Sequence, residues 1–205
     1  LERELAEYMG CEDVVVVSSG TAALHLALLA HDIGPGDAVV VPDFTFPATA
    51  NVVELVGARP VLADVCPHTY NITPEALKHA IARWDGPEKI RAVIPVHEFG
   101  CPVDMTAIMK IAKEHGLVVI EDAACALGAT HAGKMVGTLG DLGCFSFHPR
   151  KAMTTGEGGA VVVHDRQVGQ KLRQLRSHGM QVTDQGIRFV LAGFNYRLTN
   201  FQAAL

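Results

Sequence analysis

The chain has 205 residues, 49% of them hydrophobic and 19% charged, which suffices to bury a sizeable core and excludes intrinsic disorder. Seventeen Lys and Arg against 22 Asp and Glu leave a formal charge of −5 with no basic cluster, which argues against a nucleic-acid footprint. Apolar runs such as Val14–Val17 are too short to span a bilayer, Leu1–Gly10 is too charged for a signal peptide, and five cysteines without C-x-x-C spacing read as reduced thiols of a cytoplasmic protein.

The chain begins inside a helical pattern at Leu1 and stops inside another, Thr199–Leu205, so residues 1–205 are expected to be one domain of a longer chain. Val14–Val17 predicts a strand and Thr21–Ala30 a helix. Ala38–Val41 (strand), Pro47–Val56 (helix) and Arg59–Ala63 (strand) follow. Thr73 before Pro74 is a helix start, a capping hydroxyl ahead of a proline at the first helical position, and that helix is expected to reach Trp84. Arg91–Val96 predicts a strand, Asp104–His115 a helix closed by Gly116, and Val118–Glu121 another strand. Cys144–Phe147 and Ala160–His164 predict two more strands, and Arg166–Ser177 a helix. Several strands are continuous apolar runs, as in a sheet covered on both faces. The expected fold is α/β, a mostly parallel doubly wound sheet.

Ligands of such sheets collect beyond the C-terminal ends of the strands, and four segments stand there. Ser18-Ser19-Gly20-Thr21 joins a strand to a helix; small residues and free N–H groups at a helix start suit an anion, although the stretch alone also reads as a turn with a Ser or Thr cap. Glu121-Asp122 ends a buried strand, where a carboxylate needs a positive partner or hydrogen bonds; capping of the Ala123–Ala126 turn is an equal alternative. Ser146-Phe147-His148-Pro149-Arg150-Lys151 ends a strand and delivers one lysine, followed by the hydroxyl- and glycine-rich Thr154–Gly159. An amine in a partly buried site serves as a nucleophile, whereas most lysines are solvated. Gly128–Met135 imitates a P-loop, but Met135 replaces the magnesium-binding hydroxyl and glycines follow where a helix should start, so it reads as a coincidental turn. No set of His, Cys, Asp and Glu has metal-ligand spacing, and no metal is expected.

A phosphate cradle, a buried aspartate and a later lysine are the parts that pyridoxal 5′-phosphate requires: N–H groups for its phosphate, an anion for its ring nitrogen and an amine for its aldehyde. At this point the chain resembles a known family, the DegT/DnrJ/EryC1/StrS aminotransferases. The resemblance runs through Ser19–Leu24, Pro42–Phe46, Glu121–Ala124, Ser146–Lys151, Thr155–Gly159 and Gly193-Phe194-Asn195-Tyr196-Arg197.

The resemblance implies the large domain of the aspartate aminotransferase fold, with the small C-terminal domain absent from these residues, and a homodimer with shared active sites. It implies that Lys151 carries the cofactor as a Schiff base and shuttles a proton, and that Asp122 pairs with the pyridine nitrogen. Gly20, Thr21 and Ser146 would hold the phosphate, Phe46 would stack on the ring, and Asn195 would reach the neighbouring subunit's phosphate. Arg197 resembles a residue that shapes the same segment. The implied reaction takes an amino group from glutamate and passes it to a keto-sugar, mostly nucleotide-linked. Cys125 departs from the glutamine or histidine that the family often has there, which bears on cofactor tuning. A related branch that dehydrates sugars has histidine in place of the lysine, and Lys151 argues against it. The alternative is a non-catalytic or truncated module with a binding or regulatory role; the joint presence of Asp122 and Lys151 opposes a silent relative but not a silent fragment.

Overall fold

A computed structural model describes residues 1–205. In chain order the elements are α1 (Glu2–Met9), β1 (Asp13–Val17), α2 (Gly20–Ala30), β2 (Asp37–Pro42), α3 (Ala48–Leu55), β3 (Arg59–Ala63), α4 (Pro74–Arg83), β4 (Lys89–Val93) and a 3-10 turn at Glu98–Gly100. Next come α5 (Met105–His115), β5 (Val118–Asp122), and a short hairpin of β6 (Thr130–His131) and β7 (Lys134–Met135). The order ends with β8 (Leu142–Ser146), β9 (Gly159–Val163), α6 (Arg166–Arg176), a second hairpin of β10 (Met180–Thr183) and β11 (Gly186–Phe189), and α7 (Asn200–Ala204).

Seven strands form one sheet in the order β1-β9-β8-β5-β4-β2-β3. β5 lies parallel to β8 and β4, and β2 lies parallel to β4 and β3. β9 is antiparallel to both neighbours, β1 and β8, so it alone runs against the other six. The expected mostly parallel sheet is therefore present. The reversal follows from the connection: no helix lies between β8 and β9, and a parallel return needs a long crossover.

Both faces are covered, which explains the unbroken apolar strands. Val39 and Val41 of β2 pack with Leu26 and Leu28 of α2 and Leu172 of α6, whereas Ala38 and Val40 pack with Leu77 of α4 and Ile108 of α5. Thr73 caps α4 by accepting from Ala76 N–H, and Gly116 closes α5 in the left-handed region at φ 65°. No helix is long and apolar enough to cross a membrane.

The two hairpins have no counterpart in the sequence-based expectations. The P-loop imitation forms the β6–β7 hairpin, whose turn residues Ala132 and Gly133 both have positive φ, the geometry that tight hairpins favour. The strand expected at Arg91–Val96 starts and ends earlier, at Lys89–Val93. Pairing with β2 slips between Ala38 and Val39, and beyond β4 only isolated links continue, such as Val96 with Asp122.

Candidate active site

Six strands run the same way, so their C-terminal ends share one edge of the sheet, where β9 begins. Gly159 sits there between Val17 and Ser146. A Cβ on Gly159 would lie 2.5 Å from the Ser19 carbonyl carbon, and one on Gly20 would lie 2.8 Å from Ser146 Cβ. Missing side chains therefore let the start of α2 press against the end of β8. Ser19 Oγ accepts from Ala22 N–H, so Ser19 is the helix cap. The N–H groups at Gly20 and Thr21 have no partner within the helix, and the α2 dipole adds positive potential where they point.

Asp122 ends β5 at 6% exposure. Thr49 Oγ1 donates to Oδ2 at 2.9 Å, and Ala124 N–H donates to Oδ1 at 3.1 Å. Capping of the next turn and burial at the site thus coexist in one residue. Burial pushes its carboxyl above the ordinary carboxylate range, and the bonds from Ala124 and Thr49, with the charge of Lys151, only partly offset this. A buried anion held by two neutral donors favours a cation from outside the chain.

Glu121 faces the other way and is fully buried. Its carboxylate accepts from Gly137, Leu139 and Gly140 N–H at 2.8, 2.7 and 2.6 Å, and from His97 Nε2 at 2.9 Å. Val103 N–H donates to His97 Nδ1, which assigns the ring proton to Nε2. The backbone N–H of His97 donates to the Asp122 carbonyl at 3.0 Å. This buried cluster locks the strand end that carries Asp122. Glu121→Gln, which sets an amide NH2 against these donors, is expected to cost about 3–5 kcal/mol, measured by urea denaturation against the unchanged protein.

Lys151 lies in the loop between β8 and β9, with its N–H on the His148 carbonyl at 2.9 Å. Its Nζ is 3.0 Å from Cys125 Sγ. A cavity of about 530 Å³ opens here, lined by Gly20, Thr21, Phe46, Asp122, Ser146 and Lys151 among others. Each sequence-predicted site residue except Asn195 is on its wall. Asn195 is exposed and pairs with Ser177, while its neighbours Phe194 and Tyr196 stack at 4.8 Å. His25 of α2 lies 3.2 Å from the Tyr196 hydroxyl, so this segment packs behind the helix that forms the cradle.

The matching family is the DegT/DnrJ/EryC1/StrS aminotransferases, over residues 1–205. The chain belongs to the DegT/DnrJ/EryC1/StrS aminotransferase family. Among its relatives, a UDP-N-acetyl-3-dehydro-α-D-glucosamine 3-aminotransferase of Acidithiobacillus ferrooxidans is 47% identical, with 100% of this chain and 54% of that protein covered. A GDP-perosamine synthase of Caulobacter vibrioides is 45% identical, covering 100% and 53%. A crystal structure of a DegT/DnrJ/EryC1/StrS aminotransferase from Brucella abortus superposes with a TM-score of 0.95 at 43% identity, covering 99% of this chain and 55% of that one. The chain thus spans about half the length of the curated relatives it matches. In this family setting, the cavity unites an anion cradle, a buried carboxylate and one amine.

Sequence reasoning passed over several residues of the site. Thr49 sits in a predicted helix with no motif around it, and Glu98 follows a predicted strand with nothing to mark it. Both matter only through partners far along the chain: Thr49 bonds Asp122, and Glu98 shares the cavity with Asp122 and Lys151. Glu121 and His97 are visible as types, but their pairing depends on β4 and β5 lying side by side.

Proposed function

We propose that residues 1–205 are the single cofactor-binding domain of a pyridoxal-phosphate-dependent aminotransferase that moves an amino group from glutamate to a nucleotide-linked keto-sugar. The observation that carries this reading is the buried Asp122, held by neutral donors and sharing one cavity with Lys151. The residues fit the cofactor. The pyridinium would give Asp122 its missing counter-charge, and the cradle of Gly20, Thr21 and Ser146, which a Cβ at Gly20 would disrupt, suits a phosphate. When bound, the cofactor supplies an electron sink, because its protonated ring accepts the charge left when a substrate Cα loses its proton.

The chain's own groups have separate tasks. Asp122 keeps the proton on the ring nitrogen, since an anion beside it favours the charged form. The N–H groups of Gly20 and Thr21 and the Ser146 hydroxyl hold the phosphate. Phe46, 71% exposed and on the cavity wall, would stack on the cofactor ring. Lys151 Nζ, the one primary amine on the cavity wall, would hold the cofactor through its aldehyde and, when free, would serve as the base that takes the proton from the substrate Cα.

Further parts of the reading concern the whole protein. Five free thiols accord with a reducing, cytoplasmic setting. Exposed Val182, Ile187 and Phe189 on the β10–β11 hairpin accord with burial against a second copy, toward which Asn195 would reach. The relatives' names support a nucleotide-linked sugar as acceptor.

The test is spectroscopic. Glutamate is expected to bleach the yellow colour of the full-length protein, and UDP-N-acetyl-3-dehydro-glucosamine, or another nucleotide-linked keto-sugar, to restore it. Absence of any spectral response to amino donors would favour the non-catalytic module.

A further inference from the structure

We propose that the Glu98–Gly100 turn is the acceptor-binding element of the site, with the Glu98 carboxylate accepting hydrogen bonds from hydroxyl groups of the keto substrate; this rests on the function proposed above. The turn is strained and held from outside. Phe99 has φ 53° and ψ 20°, a left-handed conformation that a bulky residue adopts only where its surroundings impose it. Asn71, 5% exposed, imposes it: its Oδ1 accepts from Glu98 N–H at 2.9 Å, and its Nδ2 donates to the Cys101 carbonyl at 2.9 Å. One buried amide therefore clamps both ends of the turn. Gly100 presses against the loop that carries Cys125, since a Cβ there would lie 3.1 Å from the Cys125 carbonyl oxygen.

The clamp delivers two side chains to the cavity that holds Asp122 and Lys151, namely Glu98 and Phe99. Glu98 is half-buried, and burial and the neighbouring Asp122 push its carboxyl above the ordinary range, with Lys151 and the Thr45 hydroxyl opposing. A carboxylate in such a place has lone pairs left for donors that a ligand brings. Neutral hydroxyls meet that need. Glutamate, with two carboxylates, would place like charge beside Glu98 and Asp122. Phe99 on the wall is backed by the exposed rings of Tyr70 and Phe44, which it meets edge-on at 5.7 and 6.4 Å, and its own ring offers an apolar face suited to the C–H face of a sugar or cyclitol ring.

The test compares ketones with and without hydroxyls. Full-length protein in its amino-loaded form is reoxidised with UDP-N-acetyl-3-dehydro-glucosamine, with scyllo-inosose as a hydroxylated ketone lacking a nucleotide, and with 2-oxoglutarate, which has no hydroxyl. Glu98→Gln is expected to raise KM for a hydroxylated ketone at least about tenfold more than KM for 2-oxoglutarate. Glu98→Asp, which keeps the charge at shorter reach, is expected to fall between. Equal shifts for both classes, or a larger shift for 2-oxoglutarate, would overturn the assignment. A wild-type protein that reacts with 2-oxoglutarate but with neither hydroxylated ketone would overturn it together with the sugar reading. Failure to respond even to glutamate would remove the aminotransferase reading itself.

Discussion

Lys151→Ala in the full-length protein is expected to lower turnover by about 10²–10⁴-fold or more, the range lost when a positioned proton carrier is removed. The cavity has one primary amine: of the other basic side chains on its wall, Arg150 cannot lose its proton at working pH, and the His148 imidazole can carry a proton but cannot replace a primary amine on the aldehyde. Two further readouts separate this role from a packing effect. Borohydride is expected to fix the cofactor to the unchanged protein and not to the variant. A small primary amine in the buffer is expected to restore part of the rate, because it replaces the missing Nζ. A variant that keeps its rate to within a few-fold would end the case for Lys151. Loss of rate without any loss of borohydride labelling would move the amine to another residue.

Asp122→Asn is expected to separate turnover from occupancy. The amide keeps the size of the side chain and the contact with Thr49, so cofactor retention is expected to change little. Turnover is expected to fall by about 10²–10³-fold, the scale seen when a preorganised electrostatic partner is lost, since the ring nitrogen loses the anion that holds its proton. Comparable loss of both would count against this role.

The same residue gives a pH signature in cofactor-free protein. Its folded-state pKa is raised by burial, so the unfolded chain ionises first as pH rises. Stability is then greatest below the unfolded value and falls until pH passes the raised folded value. Asp122→Asn is expected to remove that part of the decline, measured as urea midpoints across the acid range. An unchanged slope would show that the folded-state pKa of Asp122 does not lie above its unfolded value.

Much of this site is written in local patterns. Thr73-Pro74 and Gly116 mark helix ends because capping and left-handed backbone depend on neighbours in sequence. Ser19-Gly20-Thr21 and the lysine after Pro149 mark the strand ends, since small and hydroxyl residues interrupt apolar runs. The same local reading has no means of finding Glu98. Its meaning comes from Asn71, which bonds its backbone across 27 positions of sequence, and from a cavity formed by loops that meet only once the sheet is assembled.

The alternation of apolar runs with amphipathic stretches was sufficient to determine a two-sided, mostly parallel α/β sheet and the residue types at its active edge. Only the tertiary structure decided that β9 runs backwards, that Thr49 and Ala124 hold Asp122, that His97 and Glu121 form a buried pair behind it, and that Asn195 lies off the cavity wall. Side-chain periodicity is set within a few residues by backbone geometry. Hydrogen-bond partners across strands depend on the order and register in which the sheet closes, and the burial that shifts a carboxyl exists only after it has closed.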